Sequence, residues 1–222
     1  MWRICQFVLY AGFAASLWAQ QSNASAILKH VGVTYRSVPQ YRLTAHFSSK
    51  DGKSSGQMTM AFKVPNRYRL ETVTASGPQM LIVNDGSTVW MYAASNNQYL
   101  AFPANELAGD NGGASDDVKP ESMNSLMLFR YREAADLAPH ANFLRQETIM
   151  FKGAQIRCYV ISLDTDTGNY TWWIDAENYH ILREDTETST TVFQTIDLGG
   201  NVADDLFRFT PPTNAKKLNN PQ

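Results

Sequence analysis

From Tyr41 onward the chain repeats one arrangement: short runs with an apolar side chain on every second residue, each closed by a tight turn. Tyr41, Leu43, Ala45 and Phe47 alternate with Arg42, Thr44 and His46; after Lys50-Asp51-Gly52-Lys53 the alternation resumes through Met58, Met60, Phe62 and Val64. Period two places alternate side chains on opposite faces of a strand, and two such runs joined by Asp-Gly read as a hairpin. Pro65-Asn66 turns the chain into Tyr68 and Leu70, and the apolar run Met80 to Val83 follows. Asn84-Asp85-Gly86-Ser87 then leads back into Thr88 to Tyr92, and Ser95-Asn96-Asn97 into Tyr99, Leu100 and Phe102. Strands joined by turns this short pair antiparallel.

The middle of the chain breaks the pattern. Ala108 to Lys119 holds three glycines and three aspartates and no large apolar residue, which reads as a loop. Pro120 to Ala138 is helical by spacing, with Met123, Leu126, Met127 and Phe129 on one side, and a second short helix is expected over Arg132–Leu137, ended by Pro139. Strands resume at Phe143–Phe151, Ile156–Leu163, Tyr170–Asp175, Ile181–Thr186 and Thr190–Leu198, with a further short one at Phe207–Phe209. The tail from Pro211 is polar and expected to fray. Ahead of the strands, Ile27, Leu28, Val31, Tyr35 and Val38 form a helical stripe with Asn23 and Ser25 as caps, stopped by Pro39.

About eleven strands sharing one core cannot stay flat, because neighbouring strands twist by roughly −20 to −25°. The expected fold class is therefore mainly β (α+β): a curved, incomplete antiparallel β-barrel, with the N-terminal helix and short lid helices covering its concave face. One strand parity must line that face. It comprises Tyr41, Leu43, Phe47, Met58, Met60, Phe62, Tyr68, Leu70 and Ile82, joined by the lid residues Met123 and Leu126. The methionines suit an apolar interior that reshapes.

Residues 1–19 read as a secretory signal peptide, cleaved after Ala19: Arg3 supplies the basic head, and Ile4 to Trp18 is apolar but shorter than the ~20 residues of a spanning helix. Residues 20–212 then form one domain, with 213–222 a polar C-terminal tail. Losing Arg3 moves the net charge from −2 to about −3, and nothing resembles the basic stripe that nucleic acid requires. Cys5 leaves with the signal, and Cys158, alternating with Ile156 and Val160, is expected to be a buried apolar side chain. The four histidines lie at no metal-ligand spacing, and no nucleophile elbow or phosphate-binding glycine loop is present. Asp164 to Asn169 with Asp175 echoes a calcium loop faintly and is read as a hairpin turn. Glu184, Asp185 and Glu187 are acidic and close, and two of them alternate outward along a strand. No cofactor and no catalytic activity are expected.

Gly56-Gln57-Met58 through Phe62, Val64-Pro65-Asn66-Arg67-Tyr68-Arg69-Leu70-Glu71, Leu81 through Tyr92, and Phe207-Arg208-Phe209-Thr210-Pro211-Pro212 together resemble the LolA family of periplasmic lipoprotein carriers. The resemblance implies a half-open barrel with helices as lid, shielding the acyl chains of a lipid or lipoprotein. It also implies a periplasmic location, a membrane-associated donor or acceptor, and a monomer. That family has an arginine before the proline of its turn, which ties down the lid; here the position is Val64, and Lys63 should point to the other face. Its tryptophan-like position is Leu70. Related half-barrels also serve as periplasmic sensors that bind a partner protein and respond to lipid, which is the alternative reading. A charge at Leu43 or Met60 is expected to abolish acyl binding while the sheet stays folded.

Overall fold

The computed structural model describes residues 23–104, 127–166 and 168–218. The proposed signal segment, the glycine-rich stretch, Met123 and Leu126 lie outside the described residues. Helix α1 covers residues 23–36, so Ser25 sits inside it and not at its cap. Helix α2 is Met127–Arg132, and a 3-10 turn over Ala134–His140 takes the place of the short α-helix expected at Arg132–Leu137. No described helix is long and apolar enough to cross a membrane.

The strands are β1 (Gln40–Ser49), β2 (Ser55–Lys63), β3 (Arg67–Thr74), β4 (Gly77–Asn84), β5 (Thr88–Ala93) and β6 (Gln98–Pro103). After the helices come β7 (Ala141–Phe151), β8 (Ala154–Thr165), β9 (Gly168–Asp175), β10 (Ile181–Thr186), β11 (Ser189–Leu198) and β12 (Lys216–Lys217). Their hydrogen-bonded order is β12-β6-β5-β4-β3-β2-β1-β11-β10-β9-β8-β7. The sheet has two ends, and its fold class is the incomplete antiparallel barrel with an N-terminal helix. Two expectations fail at the C-terminus. Phe207–Phe209 is not a strand, because Asp204–Phe207 is a 3-10 turn. The tail does not simply fray past Pro211 either. Lys216 and Lys217 pair parallel to β6, and the Lys216 and Leu218 N–H groups donate to the Asn97 and Tyr99 carbonyls. An exposed strand edge offers unpaired backbone groups that even a polar segment can satisfy.

The chain divides into two compact units, Met1–Thr34 with Tyr131–Glu187, and Tyr35–Arg130 with Thr188–Gln222. In the first, Ala24, Ile27, Leu28 and Val31 of α1 are buried, as are Tyr131, Cys158, Val160, Ile161, Trp172 and Ile174. Trp172 packs edge-on against Tyr131 at 5.5 Å between ring centres, and its indole N–H donates to Glu184 Oε2 at 2.7 Å. Glu184 thus faces inward and is buried. Asp185, one residue on, lies on the other face and pairs with Arg183, which stacks over the Trp173 ring at 4.4 Å. The acidic run is therefore split by strand parity, because successive side chains point to opposite faces. The β8–β9 turn is a hairpin in which Asp164 faces Asn169, and the Asp175 carboxylate accepts the Glu177 N–H.

Cys158 is fully buried in this unit. Burial, followed by the negative charges of Asp175 and Glu147, pushes its thiol pKa up to about 12. Only a thiolate reacts readily with disulfide reagents. Cys158 is therefore expected to resist a thiol-reactive dye at pH 8 and to label fully in denaturant. Fast labelling of the native protein would show that this part of the sheet opens.

In the second unit Gly56 is required by close approach. A Cβ there would sit 2.2 Å from the Val73 carbonyl oxygen and 2.9 Å from the Phe47 ring. Phe47, which faces Gly56 in register, fills the space the missing side chain leaves.

Candidate ligand-binding face

The turns set the register, and the register builds the site. At the β4–β5 turn the Asp85 carboxylate accepts the N–H groups of Ser87 and Thr88, while Asn84 Oδ1 accepts the N–H of Gly86. Gly86 holds φ +104, a conformation that disfavours a side chain. This fixed turn sets Ile82 against Met91. The same logic at the other hairpins sets Met91 against Leu100, Ile82 against Leu70, Leu70 against Met60, Met60 against Leu43, and Leu43 against Ile196.

The result is one unbroken apolar row, Leu100–Met91–Ile82–Leu70–Met60–Leu43–Ile196, crossing seven strands of the second unit. At 4.7–4.9 Å between strands it spans about 29 Å. Beside it run Tyr41, Phe62 and Tyr68, with Tyr41 and Phe62 stacked at 5.2 Å and Tyr35 edge-on to Tyr41 at 5.8 Å. On the other side run Ala45, Met58, Thr72 and Met80. Of the nine strand residues singled out in the sequence, Tyr41, Leu43, Met58, Met60, Phe62, Tyr68, Leu70 and Ile82 are buried on this face and Phe47 is half-buried.

Burial is uneven along the row. Leu43 and Met60 are 0% exposed, whereas Met91 is 36% exposed and Met80, on the same face, 38%. The face is thus sealed over β1 and β2 and open at β4 and β5. It is also uncharged: neither the row nor its flanks carries an ionisable group except the tyrosines. Burial raises the pKa of the Tyr68 phenol, so that it stays neutral. The buried amide of Asn84 is engaged in its own turn.

Sequence reasoning left out Leu100 and Ile196, and it counted Met80 and Met91 among the methionines of an apolar interior without placing them on this face. The signal was available for Met91: once Asn84 to Ser87 is read as the turn, counting outward from it opposes Met91 to Ile82.

The opposite face of the same strands is also covered, by the C-terminal segment. Val202 and Phe207 pack on Ala61, Arg67 lies over the Phe207 ring at 5.5 Å, and Phe209 meets Trp90 and Tyr92 at 6.0 and 5.5 Å. Lys63 and Arg67 both reach Asp204, at 2.6 and 3.1 Å, and the bond from Lys63 holds that carboxyl below its usual pKa. Lys63 thus points away from the Tyr41–Phe62 face. Val64 is 41% exposed and its N–H donates to the Pro39 carbonyl.

No protein-family model matches the chain. An uncharacterized protein of Methanocaldococcus jannaschii is 24% identical over 97% of this chain, and the chain spans 59% of that relative's length. Among solved structures, an uncharacterized conserved protein from Thermus thermophilus superposes with a TM-score of 0.54 at 12% identity, over 88% of this chain and 98% of the other. A chain of the Pseudomonas aeruginosa MucA/MucB complex gives 0.50 at 14% identity, over 85% of this chain and 61% of the other. A LolA superfamily protein from Nitrosomonas europaea is also similar, with a TM-score of 0.39 at 14% identity, over 84% of this chain and 97% of the other. The chain shares its fold with the Thermus thermophilus protein and the chain of the MucA/MucB complex.

Proposed function

We propose that the chain is an exported, non-catalytic carrier of lipid or lipoprotein acyl chains, which lie along the Leu100–Leu43 row. The observation that supports this is the row itself: seven strands contribute apolar side chains without a polar interruption, and its open end carries two flexible methionines. Water is displaced from both ligand and wall when an acyl chain enters, at ~0.8 kcal/mol per buried CH₂. Part of that gain offsets ordering the ligand and moving whatever seals Leu43 and Met60. The ligand enters at Met80 and Met91, where the face is already open. In this reading residues 1–19 are removed on export to the periplasm, and a membrane-associated donor or acceptor supplies or receives the lipid. A second reading, a module that binds a partner protein, draws on the likeness to a chain of the MucA/MucB complex.

Because Met91 and Met80 are part-exposed, Met91→Glu and Met80→Glu should leave the circular dichroism spectrum unchanged while weakening a fluorescent fatty acid at least about tenfold, by placing a carboxylate where the acyl chain enters. Native mass spectrometry of the wild-type protein should show bound acyl lipid. A wild-type protein that neither carries lipid nor binds the probe would end the carrier reading, and variants that bind as tightly as wild type would remove this face as the site.

A further inference from the structure

Strand β7 ends the sheet. Among the described residues it pairs with β8 alone, leaving the second side of an eleven-residue strand with its backbone groups unpaired. Proteins commonly blunt such edges with lysine, proline or a short strand. The β6 edge carries Pro103 and is capped by β12. In contrast, β7 has neither proline nor lysine, and its one bulge, at Leu144, interrupts the edge near its start and leaves Arg145 to Phe151 as a regular run of seven residues. It also exposes two large apolar side chains, Leu144 at 46% and Met150 at 66%.

We propose that β7 pairs antiparallel with β7 of a second copy of this chain, about a two-fold axis at Gln146. This goes beyond the acyl-binding reading, does not depend on it, and departs from the monomer expected from the family resemblance. The strand is self-complementary in that one register. A two-fold axis normal to the sheet must pass through a residue, because facing side chains share a side and alternate residues do not. Centred on Gln146, Arg145 faces Glu147 of the second copy, and Glu147 faces its Arg145. Leu144 is the extra residue of the bulge, so the alternation this register requires runs unbroken only from Arg145 to Phe151, and the ladder it sets is Arg145–Gln146–Glu147 of each copy. Centring on Glu147 would oppose like charges, and centring on Thr148 would set Glu147 against Ile149. Opposite charges directly across a ladder stabilise it and like charges oppose it. Within one copy Arg145 and Glu147 already form an ion pair on the same face of the strand, with side chains 53% and 36% exposed, so both are positioned to reach across.

Sedimentation over a concentration series tests this. The wild-type chain should dimerise reversibly. Arg145→Glu and Glu147→Arg, each alone, should weaken the dimer at least about tenfold, since the symmetry places two like-charge pairs in each variant dimer. An equimolar mixture of the two variants should dimerise again, because every introduced charge then faces its opposite. The internal Arg145–Glu147 pair is absent from both variants, so recovery on mixing cannot come from repair within one chain. Circular dichroism on each variant confirms the fold. A wild-type chain that stays monomeric, variants that dimerise like wild type, or a mixture that stays monomeric overturns the proposal.

Discussion

Leu43→Glu is expected to prevent the protein from folding. Alternation alone suggested a wall that could hydrate when empty, so that a charge at Leu43 or Met60 would cost binding and not stability. The structure contradicts that premise, because both side chains are fully buried in mid-row, between Ile196 and Leu70. Losing the leucine burial costs about 1.5–3 kcal/mol. Enclosing a carboxylate among the apolar side chains of the row adds several more, or forces it to protonate. The sum is comparable to the whole stability of an ordinary domain, about 5–15 kcal/mol. Leu43→Met conserves volume and should cost less than about 1.5 kcal/mol. Urea unfolding followed by circular dichroism separates the cases, with Met91→Glu as the folded, charged control. A Leu43→Glu protein as stable as wild type would mean that water reaches this part of the face.

Trp172→Ala should destabilise the protein by about 3–5 kcal/mol, the usual cost of emptying a buried aromatic site. Trp172 is completely buried, and Tyr131 meets it edge-on. Trp172→Phe separates two contributions. It retains most of the packing but removes the N–H that donates to the buried carboxylate of Glu184. The expected cost is about 1–3 kcal/mol, the range for taking one partner from a buried polar pair. Glu184→Gln keeps a side-chain oxygen to accept the indole N–H and should be milder than Trp172→Ala. Unfolding curves recorded by far-ultraviolet circular dichroism rank the three, and a Trp172→Ala cost below that of Trp172→Phe would show that packing at this site is not what matters.

The local pattern alone determined the strands, their antiparallel sense and the shared face of Tyr41, Leu43, Met58, Met60 and Phe62. Period-two alternation permits one burial scheme, and turns such as Asn84 to Ser87 fix register through hydrogen bonds between neighbours in the chain. What pattern could not supply lies in contacts between residues distant in sequence. Val83 and Trp90 alternate away from the apolar row and would look solvent-facing on one-sided logic. The segment Val202–Phe209 covers that second face instead, held by Lys63 and Arg67 on Asp204, and no local periodicity records such docking. Glu184 reads in the sequence as one of an acidic cluster alternating outward, and the indole of Trp172, brought opposite it by β9–β10 pairing, donates to its carboxylate in the interior. The depth of burial along the row was likewise decided in three dimensions. Leu43 and Met91 are equally apolar in sequence, yet Leu43 is enclosed and Met91 is part-exposed, because burial depends on what packs against the sheet and not on alternation along it.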